Sequence, residues 1–233
     1  CCSYDPTYSY ELAVVIQDGL KRMYQDKQNC FYYITVMNEN YNHPDMPAGA
    51  EEGIVKGMYQ LERAAAKAKK VVQLIGSGTI LREVREAATL LRNDWGVDAD
   101  VWSATSVNEL RRDGLACARW NMLHPAEKPR VPYVTQLLAG KSGPVIASTD
   151  YMKLYTDQLR EFIPQRFVAL GTDGYGRSDT RDRLRHFFEV NRYFVVVATL
   201  KALADDGVIK AADVARAIKK YGIDPEKNNP LTC

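Results

Sequence analysis

The sequence predicts an α/β fold, a mainly parallel sheet with helices on both faces, and three observations carry that expectation. From Val71 onward, short apolar β-branched runs alternate with longer amphipathic ones, the rhythm of strands joined by helical crossovers. The earlier run Cys30 to Met37, CFYYITVM, is apolar on both faces, as a buried parallel strand is. The apolar stretch Phe167 to Leu170 runs directly into Gly171-Thr172-Asp173-Gly174-Tyr175-Gly176-Arg177-Ser178-Asp179. Glycines at such density mark a strand that ends in a built corner with positive φ or close backbone approach.

In chain order, Tyr8 to Tyr24 carries Tyr8, Leu12, Val15, Ile16, Leu20 and Tyr24 at helical spacing after Pro6, which predicts a helix. The strand Cys30 to Met37 follows, and at its end come Asn38-Glu39-Asn40-Tyr41-Asn42-His43-Pro44. Ligands of open α/β sheets bind at the carboxyl ends of strands, so Glu39 and His43 are candidate site residues; a capped strand end beside a surface histidine is the alternative. Glu51 to Ala68 reads as mostly helical, with an alanine- and lysine-rich end acting as a linker.

The regular part begins with strand Val71 to Ile75, turn Gly76-Ser77-Gly78, helix Thr79 to Arg92 and strand Asp100 to Ala104. A helix from Ser106 to Arg112 opens with a capping box, Ser106 and Glu109, and is expected to end at Gly114. Trp120 to Pro132 reads as a loop and Val134 to Leu138 as a short helix. Strand Pro144 to Ala147, helix Asp150 to Phe162 capped by Ser148 or Thr149, and strand Arg166 to Leu170 complete the sheet. After the glycine corner, Ser178 is placed to cap a helix whose Asp179–Arg183 and Asp182–His186 are i,i+4 partners. Tyr193 to Ala204 predicts a buried helix stopped at Gly207, and Ala211 to Tyr221 a last helix stopped at Gly222.

Composition excludes several classes. Lys plus Arg number 31 against 29 Asp plus Glu, so there is no basic excess to neutralise nucleic-acid phosphates. No apolar run approaches the roughly 18 residues a membrane helix needs. The five cysteines are odd in number and contain no CxxC pair, which indicates neither a disulfide framework nor a zinc site and fits a reducing compartment such as the cytoplasm. The three histidines have no ligand-spaced partner, so no metal site is expected. Gly76-Ser77-Gly78 imitates a dinucleotide fingerprint, but the third glycine position is Leu81, and Asp98 and Asp100 precede the second strand where an acid should end it. The chain opens Cys1-Cys2-Ser3, without an initiator methionine or a signal-peptide pattern, and is expected to be part of something longer.

The segments NENY at 38–41, LIGSGTILREVREA at 74–87, STDYMK at 148–153, LGTDGYGRSDTR at 170–181 and FFEV at 187–190 together resemble the C-terminal part of the homodimeric-type pyruvate dehydrogenase E1 component. That family uses thiamine diphosphate and is related to transketolase. The resemblance covers essentially the whole chain. It implies that residues 1–45 end a pyrimidine-binding domain, 46–69 form a linker and 70–233 form a transketolase-like C-terminal domain. It also implies a homodimer that decarboxylates pyruvate with thiamine diphosphate and Mg²⁺ and reductively acetylates the lipoyl group of the E2 dihydrolipoamide acetyltransferase. By the same resemblance the cofactor ligands lie outside this portion, which alone is expected to be inactive. Asp205-Asp206-Gly207 with Asn228-Asn229 imitates the diphosphate motif but ends a helix where a strand is required. Glu39 falls on the family's substrate- or lipoyl-handling glutamate, while Asn42 and His43 compete for its histidine. The corner Asp173, Gly174, Gly176, Arg177 and Ser178 is implied in subunit contacts or in the wall of the site. A transketolase-like enzyme, or a non-catalytic α/β dimerisation or binding module, stays open beside this reading.

Overall fold

The computed structural model describes residues 1–233. At the N-terminus β1 (Cys2–Tyr4) pairs in parallel with β2 (Tyr32–Ile34), and α1 (Ser9–Leu20) with a π-helical turn (Lys21–Gln25) makes the crossover. The expected helix and strand are both present, but β2 is shorter than the apolar run and is not buried: Phe31, Tyr33 and Val36 are exposed. Two strands have no second layer to cover their outer face.

Residues 46–69 depart from the helical linker expected of them. α2 (Glu51–Lys56) stops at Gly57, whose φ is +104°, and the chain then forms β3 (Tyr59–Glu62). β3 runs antiparallel to β5 (Asp98–Ser103) at the edge of the main sheet. Helix propensity loses here to tertiary anchoring. The Asp100 carboxylate accepts the Gln60 side-chain amide at 2.7 Å and the Ala64 N–H at 3.0 Å, and Asp98 accepts the Ala65 N–H at 2.8 Å. The two acids of the false dinucleotide fingerprint therefore hold backbone at the amino end of β5.

β4 (Val71–Gly76), β5, β6 (Val145–Ser148) and β7 (Phe167–Leu170) are mutually parallel, and the five strands stand in the order β3-β5-β4-β6-β7. The mainly parallel α/β sheet is as the sequence predicts. Successive residues of a strand face opposite layers. Leu74, Val101 and Ile146 bury against α3 (Ile80–Trp95), α8 (Arg192–Asp205) and α9 (Ala211–Lys220). Ile75, Trp102 and Val145 bury against α4 (Val107–Leu123), α5 (Tyr133–Leu138) and the segment around Leu159 and Phe162. Each such fully buried aliphatic side chain stabilises by about 2 kcal/mol relative to exposure.

Three helix boundaries differ from expectation. α4 continues through Gly114 to Leu123, because Gly114 is a packing glycine: a Cβ there would lie 2.5 Å from Cε2 of Phe162. Its start is as expected, with Ser106 Oγ accepting the Glu109 N–H at 3.1 Å, although the Glu109 carboxylate turns to Arg112 instead of completing the box. Residues 150–162 form α6 (Lys153–Asp157) and a 3₁₀ turn (Arg160–Phe162), not one helix. Ser148 Oγ is buried without a partner, and Thr149 Oγ1 accepts the Tyr151 N–H in a local turn, so neither residue caps a helix. α7 (Arg181–Phe187) begins after Thr180, whose N–H donates to Asp179 at 2.7 Å, so Ser178 is not its cap. Asp179 and Arg183 are paired at 4.0 Å, whereas His186 turns to Asn191.

Gly143 before β6 has φ +79°, and a Cβ would lie 2.0 Å from the Val71 carbonyl oxygen. Gly143→Ala is expected to destabilise the chain by at least about 2 kcal/mol. An unchanged thermal midpoint would show that the turn relaxes freely.

Candidate functional site

The carboxyl ends of the parallel strands open into one cleft. β4 leads through Gly76-Ser77-Gly78 to Thr79 at the head of α3, β6 leads to Asp150, and β7 leads to Thr172 and the glycine corner. The segment after β2 folds over this edge and contributes Val36, Met37, Asn38 and Glu39. The resulting cleft of about 750 Å³ is completed by Gly174, Gly176, Arg177, Arg181 and Arg185. Glu39 and most of the corner, two expectations separated by more than a hundred residues, thus meet on one surface.

Glu39 is the hub. Its Oε1 accepts from Arg82 Nη1 at 2.7 Å, and its Oε2 accepts from Arg185 Nη2 at 2.8 Å and Thr79 Oγ1 at 3.0 Å; Arg181 Nε lies at 3.7 Å. Partial burial alone would raise this carboxyl, but the hydrogen bonds from Arg185 and Arg82 and the Arg185 charge outweigh it and hold the group at about 2. Glu39 is therefore a fixed anion and not a group poised to exchange protons. Arg185 also reaches Glu83 at 3.5 Å, and Glu83 takes a two-pronged hydrogen bond from Arg192 at 2.8 and 3.0 Å. A continuous chain of alternating charge, Arg82–Glu39–Arg185–Glu83–Arg192, so ties the N-terminal segment to α3, α7 and α8.

His43 lies to one side. Its Nδ1 accepts the Ser9 N–H at 3.0 Å, its ring stacks on Tyr41 at 4.7 Å, and it shares with Glu39 the lining of a separate cavity of about 140 Å³. Asp150 lines the cleft from the end of β6 and is exposed to solvent.

The corner residues divide by role. Asp173 accepts the Lys153 N–H at 3.0 Å and fixes the corner to the start of α6. Gly174 has φ +100°, and a Cβ would lie 2.0 Å from the Pro230 carbonyl, so the C-terminal segment packs directly on it. Arg177 stacks on Phe187 at 4.6 Å, and Ser178 is exposed. The sequence reading missed Thr79, Arg82, Asp150, Arg181 and Arg185. Arg82 and Arg185 lie on predicted helices, where a charged residue ordinarily means a solvated face; nothing local distinguishes an arginine aimed at a distant glutamate.

Residues 57–191 match the profile of the transketolase-like TK C-terminal domain, more than half of the chain. The chain belongs to the transketolase-like C-terminal domain family. Residues 1–44 match the pyruvate dehydrogenase E1 component middle domain. The chain is 64% identical over 234 residues to the pyruvate dehydrogenase E1 component of Pseudomonas aeruginosa, a match covering 100% of this chain and 26% of that protein. It is 58% identical over 233 residues to the one from Cupriavidus necator, with the same two coverages. The resemblance in the sequence motifs is thereby borne out along the whole chain, which spans about a quarter of the length of these curated relatives. Transketolase from Leishmania mexicana superposes with a TM-score of 0.57 at 15% identity, over 87% of this chain and 25% of that one, and this shows the transketolase-like C-terminal fold. No helix is long and apolar enough to cross a membrane.

Proposed function

We propose that this chain serves as the C-terminal portion of a pyruvate dehydrogenase E1 component, with residues 1–45 ending a pyrimidine-binding domain and the transketolase-like domain following. The whole protein would be a cytoplasmic homodimer that decarboxylates pyruvate with thiamine diphosphate and Mg²⁺ and acetylates the lipoyl group of E2. The observation that carries this reading is the Glu39 clamp. Residues matched to the E1 middle domain and residues matched to the transketolase-like domain are locked by Thr79, Arg82 and Arg185 around one carboxylate.

The donor set of this chain does not suit the metal–diphosphate itself. Mg²⁺ takes oxygen ligands, with carboxylates bridging to a substrate phosphate, and no group of three His, Cys, Asp or Glu side chains is placed to hold a metal ion. Asp205 and Asp206 are paired with Lys201 and Arg166 at the end of α8. The contribution of this portion is architectural and electrostatic: the clamp fixes the segment that carries Tyr41 and His43. Glu39 is proposed to position that segment, while proton movement falls to His43.

Assay of the whole protein tests this. Pyruvate is expected to be turned over with a lipoyl acceptor and ketose phosphates are not; the reverse preference would select a transketolase. His43→Ala is expected to lower acetyl transfer by about 10²-fold, the ordinary size of a general acid–base contribution, with the pH profile of the rate flattened. Unchanged rate and profile would remove His43 from the site.

A further inference from the structure

The E1 reading assigns no ligand to the cleft between the Val36–Glu39 segment and the glycine corner, yet its chemistry is specific. Three arginines line it, Arg177, Arg181 and Arg185, against two carboxylates, Glu39 and Asp150. Arg185 and the nearby Arg82 already share Glu39 at 2.8 and 2.7 Å. Arg177 has no ion-pair partner, only the Phe187 ring beneath it. Arg181 gives one hydrogen bond to Asn38 Oδ1 at 2.8 Å and stays 3.7 Å from Glu39. Two guanidinium groups therefore face the cleft with donors unspent.

The backbone adds to them. The N–H groups of Gly174, Tyr175, Gly176 and Arg177 donate to no other group of the chain, and Gly174 and Gly176 both line the cleft. The missing side chain of Gly174 makes room for Pro230, but at Gly176 nothing lies within 4 Å of where a Cβ would stand, so the backbone there can approach a ligand closely. Beside Asn38, Thr79 and Thr172, the rest of the lining is an apolar wall whose accessible part is Val36, Met37, Leu184 and Phe188, with the core residues Ile80 and Val190 behind it. Water satisfies free arginine and backbone donors equally well on a flat surface, but a cleft with an apolar wall favours a ligand that carries both an anionic head and a hydrocarbon body.

We infer that this cleft is a binding site for a small amphipathic oxyanion, a phosphate ester or carboxylate, whose charged head is held by Arg177, Arg181 and the backbone of the glycine corner and whose apolar body lies against Val36, Leu184 and Phe188. Phosphates and carboxylates share the geometry that a planar guanidinium recognises. The site draws on no step of the E1 chemistry, so it stands or falls apart from that reading.

Calorimetric titration of the whole protein with butyl phosphate, inorganic phosphate and pentanoate tests it. Saturable binding of butyl phosphate or pentanoate is expected, and the phosphate ester is expected to bind more tightly than inorganic phosphate because only the ester uses the apolar wall. The source of the anion follows from which of butyl phosphate and pentanoate binds more tightly. Arg177→Ala with Arg181→Ala should weaken binding by at least about tenfold. Arg130→Ala, whose side chain stacks on Trp120 outside the cleft, should leave it unchanged. Because a variant can lose binding by unfolding, the native protein gives a second measure: butyl phosphate is expected to protect Arg177 and Arg181 from phenylglyoxal modification, read by mass spectrometry. Absence of saturable binding, equal affinity for phosphate and its ester, or no protection at the two arginines would each overturn the proposal.

Discussion

Glu11→Ala is expected to destabilise the chain by about 3–5 kcal/mol, the cost of leaving several buried donors unsatisfied at about 1–3 kcal/mol each, partly relieved by local relaxation. Glu11 is fully buried on α1. Its Oε2 accepts the Thr7 N–H at 2.5 Å and the Tyr8 N–H at 2.8 Å, and its Oε1 accepts Tyr59 Oη and Ser103 Oγ, both at 2.6 Å. One carboxylate so caps the start of α1 and bolts it to β3 and β5. Alanine would leave two backbone N–H groups and the Ser103 hydroxyl without an acceptor in a dry interior, and Tyr59 with only the Tyr10 hydroxyl as partner. For a chain of this size each kcal/mol is worth about 2–4 °C, so a fall in thermal midpoint of about 10 °C is expected. Glu11→Gln keeps the shape but replaces one acceptor oxygen with a donor, and should fall between the two. A midpoint within 2 °C of the parent for Glu11→Ala would mean that water enters and replaces the carboxylate.

Acid should release the Glu39 clamp, and Glu39→Ala should abolish that acid sensitivity. The carboxyl lies at about 2 in the folded chain against 4.5 unperturbed. A depressed carboxyl binds protons more weakly when folded, so its stabilisation is fully present above pH 4.5 and is lost as pH falls through that value toward 2. Its size is on the order of 1–2 kcal/mol once solvent screening in the open cleft is allowed for. The stability gap between parent and Glu39→Ala, followed by urea unfolding from pH 6 down to pH 3, should therefore hold constant to about pH 4.5 and narrow below it. A gap independent of pH would show that the arginines do not act on this carboxylate. In the whole protein Glu39→Ala leaves Arg82 and Arg185 facing each other without their shared anion, and turnover with lipoyl acceptor is expected to fall by at least tenfold because the Tyr41–His43 segment loses its anchor. Glu39→Asp, which keeps the charge on a shorter arm, should restore part of the stability before it restores rate.

What the sequence alone determined was the part of the molecule governed by local pattern. The alternation from Val71 onward specified the parallel strands and crossover helices, since burial on both faces of a strand and on one face of a helix imposes periods readable over a few residues. The buried helix Arg192–Asp205 and the halts at Gly207 and Gly222 were legible for the same reason. The motifs from NENY to FFEV also carried the family. Tertiary structure decided the rest. β3 was not legible because it is made by pairing with β5, some forty residues on, and by the Asp98 and Asp100 carboxylates that anchor Gln60, Ala64 and Ala65. Gly114 reads locally as a helix stop, and only the ring of Phe162 shows that it is a contact point inside a helix. Glu39 could be nominated from its place after a strand, but its partners Thr79, Arg82 and Arg185 come from two other helices. Their roles are set by Coulomb attraction and hydrogen bonding between residues that only the folded sheet brings within 3 Å, and such pairings leave no periodic mark on the chain.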